Sequence, residues 1–94
     1  MKVRDNATKV AKELAKKDGL CLICGIAYEE TELCGHHIIT VGSDPSLADK
    51  EYNIITVCHE CHRAIHDGYI DIKKHLLKWK GTDVYRWEEI IERI

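Results

Sequence analysis

The chain has 94 residues, of which 45% are hydrophobic and none is phenylalanine, so we expect one domain whose small core needs a structural metal ion. The formal net charge of −2 excludes a uniformly basic nucleic-acid-binding protein. The positive charge is concentrated in two segments, since residues 1–17 carry six Lys/Arg against two acidic residues and residues 60–80 carry five against three.

The first predicted element is an amphipathic helix over residues 6–17 with a lysine-rich outer face. Asp5 or Asn6 is placed to cap its start, and Gly19 follows its end. The apolar positions recur at helical spacing and are Ala7, Val10, Ala11 and Leu14.

Two strands and a short helix are predicted next. The β-branched residues predict strands over residues 37–41 and 53–57, with a long polar loop between them that opens at Gly42. The short helix runs from about residue 60 to residue 66 or 67 and is closed by Gly68. This order of elements predicts an α+β fold.

Two more helices are predicted in the C-terminal part, over residues 71–80 and 83–94. The apolar stripe of the second of these helices consists of Val84, Trp87, Ile91 and Ile94. Packing in the core explains this stripe, although it also fits the seam of a homodimer.

Two C-x-x-C pairs, Cys21 with Cys24 and Cys58 with Cys61, are separated by 33 residues. The odd total of five cysteines and a charged N-terminus with no apolar stretch behind it predict a cytoplasmic protein, in which such pairs bind metal. Four thiolates at this spacing predict a tetrahedral structural Zn²⁺ site with no open coordination position. Cys34 is left over and is expected to be a partly buried thiol.

Two other interpretations of these cysteines fit less well. Cys58, Cys61 and His62 also spell the C-x-x-C-H pattern of covalent haem attachment, which requires export to another compartment. A thioredoxin-like redox role for Cys21 and Cys24 requires a surrounding βαβ pattern, which the sequence does not predict.

The histidines predict a second site. His62 and His66 are four residues apart and share one face of the predicted short helix. His36 and His37 are adjacent, and adjacent side chains of a strand point to opposite faces. We therefore expect both to serve one site only if Gly35 permits irregular backbone at the strand entrance.

With these residues in view, the chain resembles the HNH endonucleases, also called ββα-metal nucleases, in the variant with a Cys₄ zinc site around the motif. The resemblance covers residues 20–67 and depends on the order and spacing of Cys21-x-x-Cys24, His36-His37-Ile38, Asn53-Ile54-Ile55-Thr56-Val57-Cys58-x-x-Cys61-His62, and His66. It implies a small ββα-metal core that the N-terminal helix and two C-terminal helices flank.

The resemblance also implies a role for each matching residue. His37 corresponds to the general base that takes a proton from the water attacking the scissile phosphate. His36, His62 and His66 correspond to ligands of a catalytic divalent ion, and Asn53 corresponds to the residue that braces the loop and orients the base. The implied activity is metal-dependent hydrolysis of DNA phosphodiester bonds.

The catalytic ion and the partners follow less directly. An all-histidine ligand set suits Mn²⁺, Ni²⁺, Co²⁺ or Zn²⁺ better than Mg²⁺, although the family tolerates several ions. DNA is the implied substrate, no membrane association is expected, and the candidate phosphate contacts are Lys9, Lys12, Lys16, Arg63, Lys73 and Lys74. A partner protein or low sequence specificity is expected in so short a chain. The alternative function is a zinc-stabilised module that binds nucleic acid or protein without cutting it.

Overall fold

The structure is a computed structural model that describes residues 2–94, with side chains from residue 6 onward. Two antiparallel strands form its sheet, namely β1 (Leu33–His37) and β2 (Ile54–Cys58). The α-helices, in chain order, are α1 (Lys2–Asp18), α2 (His59–His66), α3 (Ile72–Leu77) and α4 (Glu88–Ile91). The predicted α+β class is confirmed, and β1, β2 and α2 together have the order of a ββα-metal core.

Helix α1 begins at Lys2 instead of residue 6, so the predicted cap at Asp5 or Asn6 is wrong. No proline or glycine interrupts residues 2–5, and the helical pattern therefore continues through them. The helix ends at Asp18, followed by Gly19 with a φ of 65°. A positive φ at this position is the common way in which a helix ends in glycine.

Helix α1 lies close to the sheet at Gly35 in β1. A Cβ atom at position 35 would lie 2.7 Å from the Cβ of Ala11 and 3.1 Å from the Cγ2 of Ile54. The irregular backbone that would let His36 and His37 serve one site does not occur at Gly35, since this residue lies inside a regular strand. Glycine is needed there because any side chain would push the helix away from the sheet.

Strand β1 ends where the sequence predicts a strand to begin. The predicted strand over residues 37–41 is wrong, because the pairing with β2 covers residues 33–37. Beyond His37 one more backbone hydrogen bond joins the two segments, from the N–H of Ile38 to the carbonyl of Asn53 at 2.9 Å. At Ile39 the side chain of Asn53 takes the place of a partner strand, and its Oδ1 accepts from the N–H of Ile39 at 2.8 Å. The chain therefore leaves the sheet within two residues of His37.

The second strand and the short helix lie within one or two residues of their predicted bounds. Cys58 ends β2 and caps α2, and Gly68, with a φ of 82°, follows the end of the helix. Because α2 follows β2 with no loop between them, the residues of these two elements lie close together at their junction.

The two C-terminal helices are shorter than predicted, because the chain turns at Gly81, where φ is 87°, and stays irregular as far as Trp87. The side chain of Trp87 is fully buried, and its indole N–H donates to the carbonyl of Leu76 at 3.2 Å. Ile91 is also buried, so most of the apolar stripe packs into the core of the same chain. A homodimer through this segment stays a prediction. Across residues 2–94 we find no helix with both the length and the apolar character that a membrane span requires.

A buried ion pair connects α1 with the C-terminal segment. The guanidinium of Arg86 donates two hydrogen bonds to the carboxylate of Asp18, at 3.1 and 3.0 Å, and the Asp18 side chain is 1% exposed. The hydroxyl of Thr56 donates to the same carboxylate at 2.6 Å. Arg86 also donates to the carbonyls of Glu51 and Ile54, which flank Asn53 in the chain. This ion pair therefore stabilises the entry into β2.

Replacing Arg86 by alanine is expected to lower the free energy of unfolding by about 3–5 kcal/mol, because the Asp18 carboxylate stays buried without its counterion. Urea unfolding followed by circular dichroism measures the change. Arg93→Ala is the matched control, since Arg93 pairs with Asp44 at the surface and its loss is expected to cost about 0–1 kcal/mol. Equal effects of the two substitutions would contradict this account.

Candidate functional site

Four cysteines from two distant parts of the chain meet at one point. Cys21 and Cys24 lie in the turn after α1, and Cys58 and Cys61 lie at the junction of β2 and α2. Their four sulfur atoms all lie within 4.8 Å of one another. A cation about 2.3 Å from each of four tetrahedral sulfurs holds those sulfurs about 3.8 Å apart, so the cluster fits such an ion. The four cysteines are thus positioned to bind a metal ion.

Both cysteine pairs have the same local geometry. The backbone N–H of Cys24 donates to the sulfur of Cys21 at 3.4 Å, and the N–H of Cys61 donates to the sulfur of Cys58 at 3.5 Å. In the first pair, Gly25 has a φ of 75°, which allows the tight turn. Such N–H groups stabilise negative charge on the sulfur that accepts from them.

Burial and mutual hydrogen bonds affect the ionisation of Cys58 and Cys61. Burial raises the pKa of Cys61 well above its usual range, with hydrogen bonds to Cys58 and Cys21 adding to the effect. Burial also opposes ionisation of Cys58, but hydrogen bonds from the Cys61 backbone and neighbouring groups outweigh it and lower the pKa of Cys58. Crowded sulfurs therefore ionise at one another's expense unless a positive ion neutralises them.

Three histidines form a second cluster on the other side of α2. Ligand nitrogens of His36, His62 and His66 all lie within 4.8 Å of one another. The Nε2 atoms of His62 and His66 are 3.1 Å apart, and the ring centroid of His36 lies 5.4 Å from each of the other two. A cation about 2.1 Å from two imidazole nitrogens holds them about 3.0–3.4 Å apart, so this geometry also fits a shared ion.

The environment of His36 and His62 favours neutral rings. Burial lowers the pKa of His36 to about 4, and the nearby His62 and His66 rings add to the shift. Burial also lowers the pKa of His62, with a further contribution from His66. A neutral imidazole has the free lone pair that a metal ligand needs. His36 and His62 can therefore bind a cation without first losing protons at neutral pH.

His37 lies outside the histidine cluster and next to it in the chain. It is the last residue of β1, so its side chain leaves the sheet on the face opposite to that of His36. Its Nε2 lies 2.7 Å from the carbonyl oxygen of Ala48. A carbonyl only accepts hydrogen bonds, so this contact requires a proton on Nε2 and leaves Nδ1 as the basic nitrogen of the neutral ring. The two adjacent histidines therefore have different partners and different chemistry.

Asn53 fixes the loop that contains the Ala48 carbonyl. Its side chain is fully buried, accepts from the N–H of Ile39 at 2.8 Å and donates to the carbonyls of Ile39 and Leu47 at 3.0 and 3.2 Å. Since Leu47 directly precedes Ala48, the amide of Asn53 acts on the loop that holds His37. A side-chain amide can hold backbone N–H and carbonyl groups at once, because it has both a donor and an acceptor, and it adds no charge.

Asn53→Ala is expected to lower the free energy of unfolding by about 1–3 kcal/mol, because buried backbone groups of Ile39 and Leu47 lose their partners. Denaturant unfolding of the metal-loaded protein measures it. Asn6→Ala serves as the control, since Asn6 is exposed in α1 and surface changes of this kind stay within about 0.5 kcal/mol. A loss below that limit at position 53 would show that the amide does not brace the loop.

The six candidate phosphate contacts are all exposed, and the structure places them on three helices. Lys9, Lys12 and Lys16 lie on α1, Arg63 lies on α2, and Lys73 and Lys74 lie on α3. The ammonium of Lys73 also donates to the carbonyl of Ile94 at 3.1 Å.

Sequence reasoning did not find the partners of the site residues. The Ala48 carbonyl that holds His37 is 11 residues away, and a backbone carbonyl has no sequence signal. The ion pair of Arg86 with Asp18 joins residues 68 positions apart and was not predicted either. In both cases the contact depends on the path of the folded chain.

Comparison with known proteins gives one match. The family model described as HNH endonuclease matches residues 21–68, which contain both cysteine pairs and all three clustered histidines. Neither the search of curated proteins nor that of solved structures gave a match.

Proposed function

Because this chain belongs to the HNH endonuclease family, we propose that it is a metal-dependent endonuclease that hydrolyses DNA phosphodiester bonds. The observation that carries the proposal is the pair of adjacent histidines with different surroundings. His36 joins His62 and His66 in a cluster that fits a cation, whereas His37 is held singly by a backbone carbonyl. Hydrolysis of a phosphodiester needs both functions, an electrophilic ion and a base, next to one phosphate.

His37 is the general base in this proposal. The Ala48 carbonyl keeps the proton of the neutral ring on Nε2, so Nδ1 accepts a proton from the water that attacks phosphorus. Asn53 is a positioning residue, since it holds the backbone around Leu47 and thereby the carbonyl that orients the ring.

His36, His62 and His66 would hold the catalytic divalent ion. Such an ion supplies Lewis-acid stabilisation of the charge that develops on the phosphate and on the leaving 3′-oxygen. Three imidazoles favour Mn²⁺, Ni²⁺, Co²⁺ or Zn²⁺ over Mg²⁺, which prefers oxygen ligands.

Cys21, Cys24, Cys58 and Cys61 would hold a structural Zn²⁺. Their sulfurs connect the turn after α1 with the start of α2, the helix that carries His62 and His66. The structural ion thereby fixes the helix from which two of the three catalytic ligands project.

DNA binding in this proposal depends on the exposed cations of the three helices. Lys9, Lys12 and Lys16 of α1, with Arg63, Lys73 and Lys74, would contact phosphates and make binding weaken steeply with salt. Phosphate contacts carry no sequence information, so the chain alone is proposed to cut with low sequence specificity. The alternative is a module that binds nucleic acid or protein without cutting it, as the absence of plasmid cleavage would indicate.

The proposal is tested with supercoiled plasmid DNA and purified protein of measured zinc content. We expect conversion to nicked or linear plasmid when Mn²⁺, Ni²⁺, Co²⁺, Zn²⁺ or Mg²⁺ is added in turn, with Mg²⁺ among the weaker ions. His62→Ala is expected to lower the cleavage rate by about 10- to 100-fold at limiting metal, because it removes one ligand nitrogen.

His59→Ala is the matched control for His62→Ala. His59 lies on the same helix and is exposed, but it is not part of the histidine cluster, so its loss is expected to leave cleavage unchanged. Plasmid that stays supercoiled with every ion would contradict the nuclease and favour the binding module. Equal rates for His62→Ala and the wild type would contradict the assignment of the ligand.

A further inference from the structure

We infer that the groove between α1 and the end of β1 binds the sugar and base of one unpaired nucleotide next to the scissile phosphate. The substrate would then be single-stranded or locally unpaired DNA instead of continuous duplex. This inference rests on the proposed nuclease function and names the class of DNA on which it acts. We call this cavity the α1–β1 groove and define it by Ala7, Ala11 and Ala15 on one wall and Leu33, Val41 and His37 on the other.

The α1–β1 groove has the size and lining of a site for a small organic group. Its volume is about 840 Å³, within the roughly 300–1,000 Å³ of small-molecule sites. Its helix wall consists mainly of alanine methyl groups, and Leu33 and Val41 line the opposite side. Apart from the imidazole of His37, no aromatic ring is among the described residues that line it, so a planar base would pack mainly against aliphatic groups.

His37 connects the α1–β1 groove to the proposed reaction. The ring of His37 and Ala48, whose carbonyl holds that ring, both line the groove. A phosphate close enough for His37 to activate its attacking water therefore lies at the edge of this cavity. The nucleotide attached to that phosphate can therefore reach the apolar lining of the groove.

An unpaired base fits this space better than a paired one. In duplex DNA the bases are stacked and present only their edges in the grooves, so their faces cannot contact an apolar cavity. An unpaired base exposes both faces and buries them when it enters the groove. Taking a base out of a duplex breaks its pairing and stacking and costs free energy, whereas the bases of a single strand are already unpaired. This difference predicts tighter binding of single-stranded DNA than of duplex DNA.

The charges at the α1–β1 groove suggest how the strand lies. Lys12 of α1 lines the groove and is exposed, and Lys9 and Lys16 are exposed on the same helix. Glu30 lines the groove as well, and its carboxylate repels phosphate. The phosphates are therefore expected to follow the Lys12 side, with the base directed towards Val41, which is 38% exposed, since α1 and β1 are in close contact at Ala11 and Gly35.

Binding of fluorescein-labelled oligonucleotides tests the inference without relying on cleavage. A single strand of about 12 nucleotides and the duplex of the same sequence are compared at one salt concentration, with zinc-loaded protein and no added second ion. We expect the single strand to bind at least about tenfold more tightly. Thr8→Trp and Val41→Trp fill the groove from opposite walls and are each expected to remove most of this preference.

Asn6→Trp is the matched control, since it places the same side chain on an exposed position of α1 that does not line the groove. The inference is overturned if the duplex binds as tightly as the single strand, or if both groove variants retain the wild-type preference. An unchanged preference in both groove variants would also be expected if an apolar peptide or a second copy of the chain, instead of a nucleotide, occupied the groove. Plasmid cleavage is measured separately on the wild type, so cleavage without the preference would refute this inference alone.

Discussion

His37→Ala is expected to lower the rate of plasmid cleavage by about 10²- to 10⁴-fold, the usual contribution of a general base. The reason lies in the single contact of this ring, in which the Ala48 carbonyl keeps the proton on Nε2 and leaves Nδ1 to accept one. Zinc content and the circular dichroism spectrum are expected to stay as in the wild type, because His37 belongs to neither metal cluster. Single-turnover cleavage with saturating metal measures the loss.

Two further measurements separate the base from a merely structural role. His37→Gln keeps an amide that can donate to the Ala48 carbonyl but has no basic nitrogen, so it is expected to be as inactive as His37→Ala. Free imidazole added to His37→Ala is expected to restore part of the rate, since it supplies the missing base in solution. Wild-type cleavage by either variant would remove His37 from the reaction.

The parts of the site that the sequence predicts are those in which local geometry brings residues together. Four residues along a helix bring His62 and His66 onto one face, and the structure places their Nε2 atoms 3.1 Å apart. A C-x-x-C turn likewise brings two sulfurs together whatever lies around it, as at Cys21 and Cys24. Spacing alone is informative in these cases because the backbone conformation is fixed within one turn.

The parts that the sequence did not predict depend on distant contacts. Irregular backbone at Gly35 is the condition under which both adjacent histidines would serve one site, yet Gly35 lies in a regular strand, and it is glycine because Ala11 of α1 passes so close that no side chain fits. The strand also ends earlier than its β-branched residues suggest, because the Asn53 amide bonds to the backbone at Ile39. Both features depend on which distant segment packs against the strand. The local sequence pattern around the strand does not predict which segment that is.

The effect of the proposed structural zinc on folding has a physical limit. The binding free energy of structural Zn²⁺ in small peptides is about 10–16 kcal/mol, whereas whole domains are stable by about 5–15 kcal/mol. Here two of the four cysteines, Cys21 and Cys58, are themselves buried in the core at 0% and 4% exposure. Without an ion, the sulfurs between the turn after α1 and α2 would repel one another or hold protons, and they would no longer join these two segments.

Cys24→Ser is therefore expected to unfold most of the protein at 25 °C. Cys24 is exposed, so this substitution removes a ligand without opening a cavity, and any loss of structure comes from the loss of the ion. Circular dichroism and tryptophan fluorescence follow the unfolding, since the indole N–H of Trp79 donates to the carbonyl of Leu22 at 2.7 Å and Trp87 is fully buried. Cys34→Ser is the matched control, since Cys34 is not in the cluster and its variant is expected to keep one equivalent of zinc and the wild-type spectrum. A folded Cys24→Ser protein without bound zinc would show that the hydrophobic core is sufficient by itself.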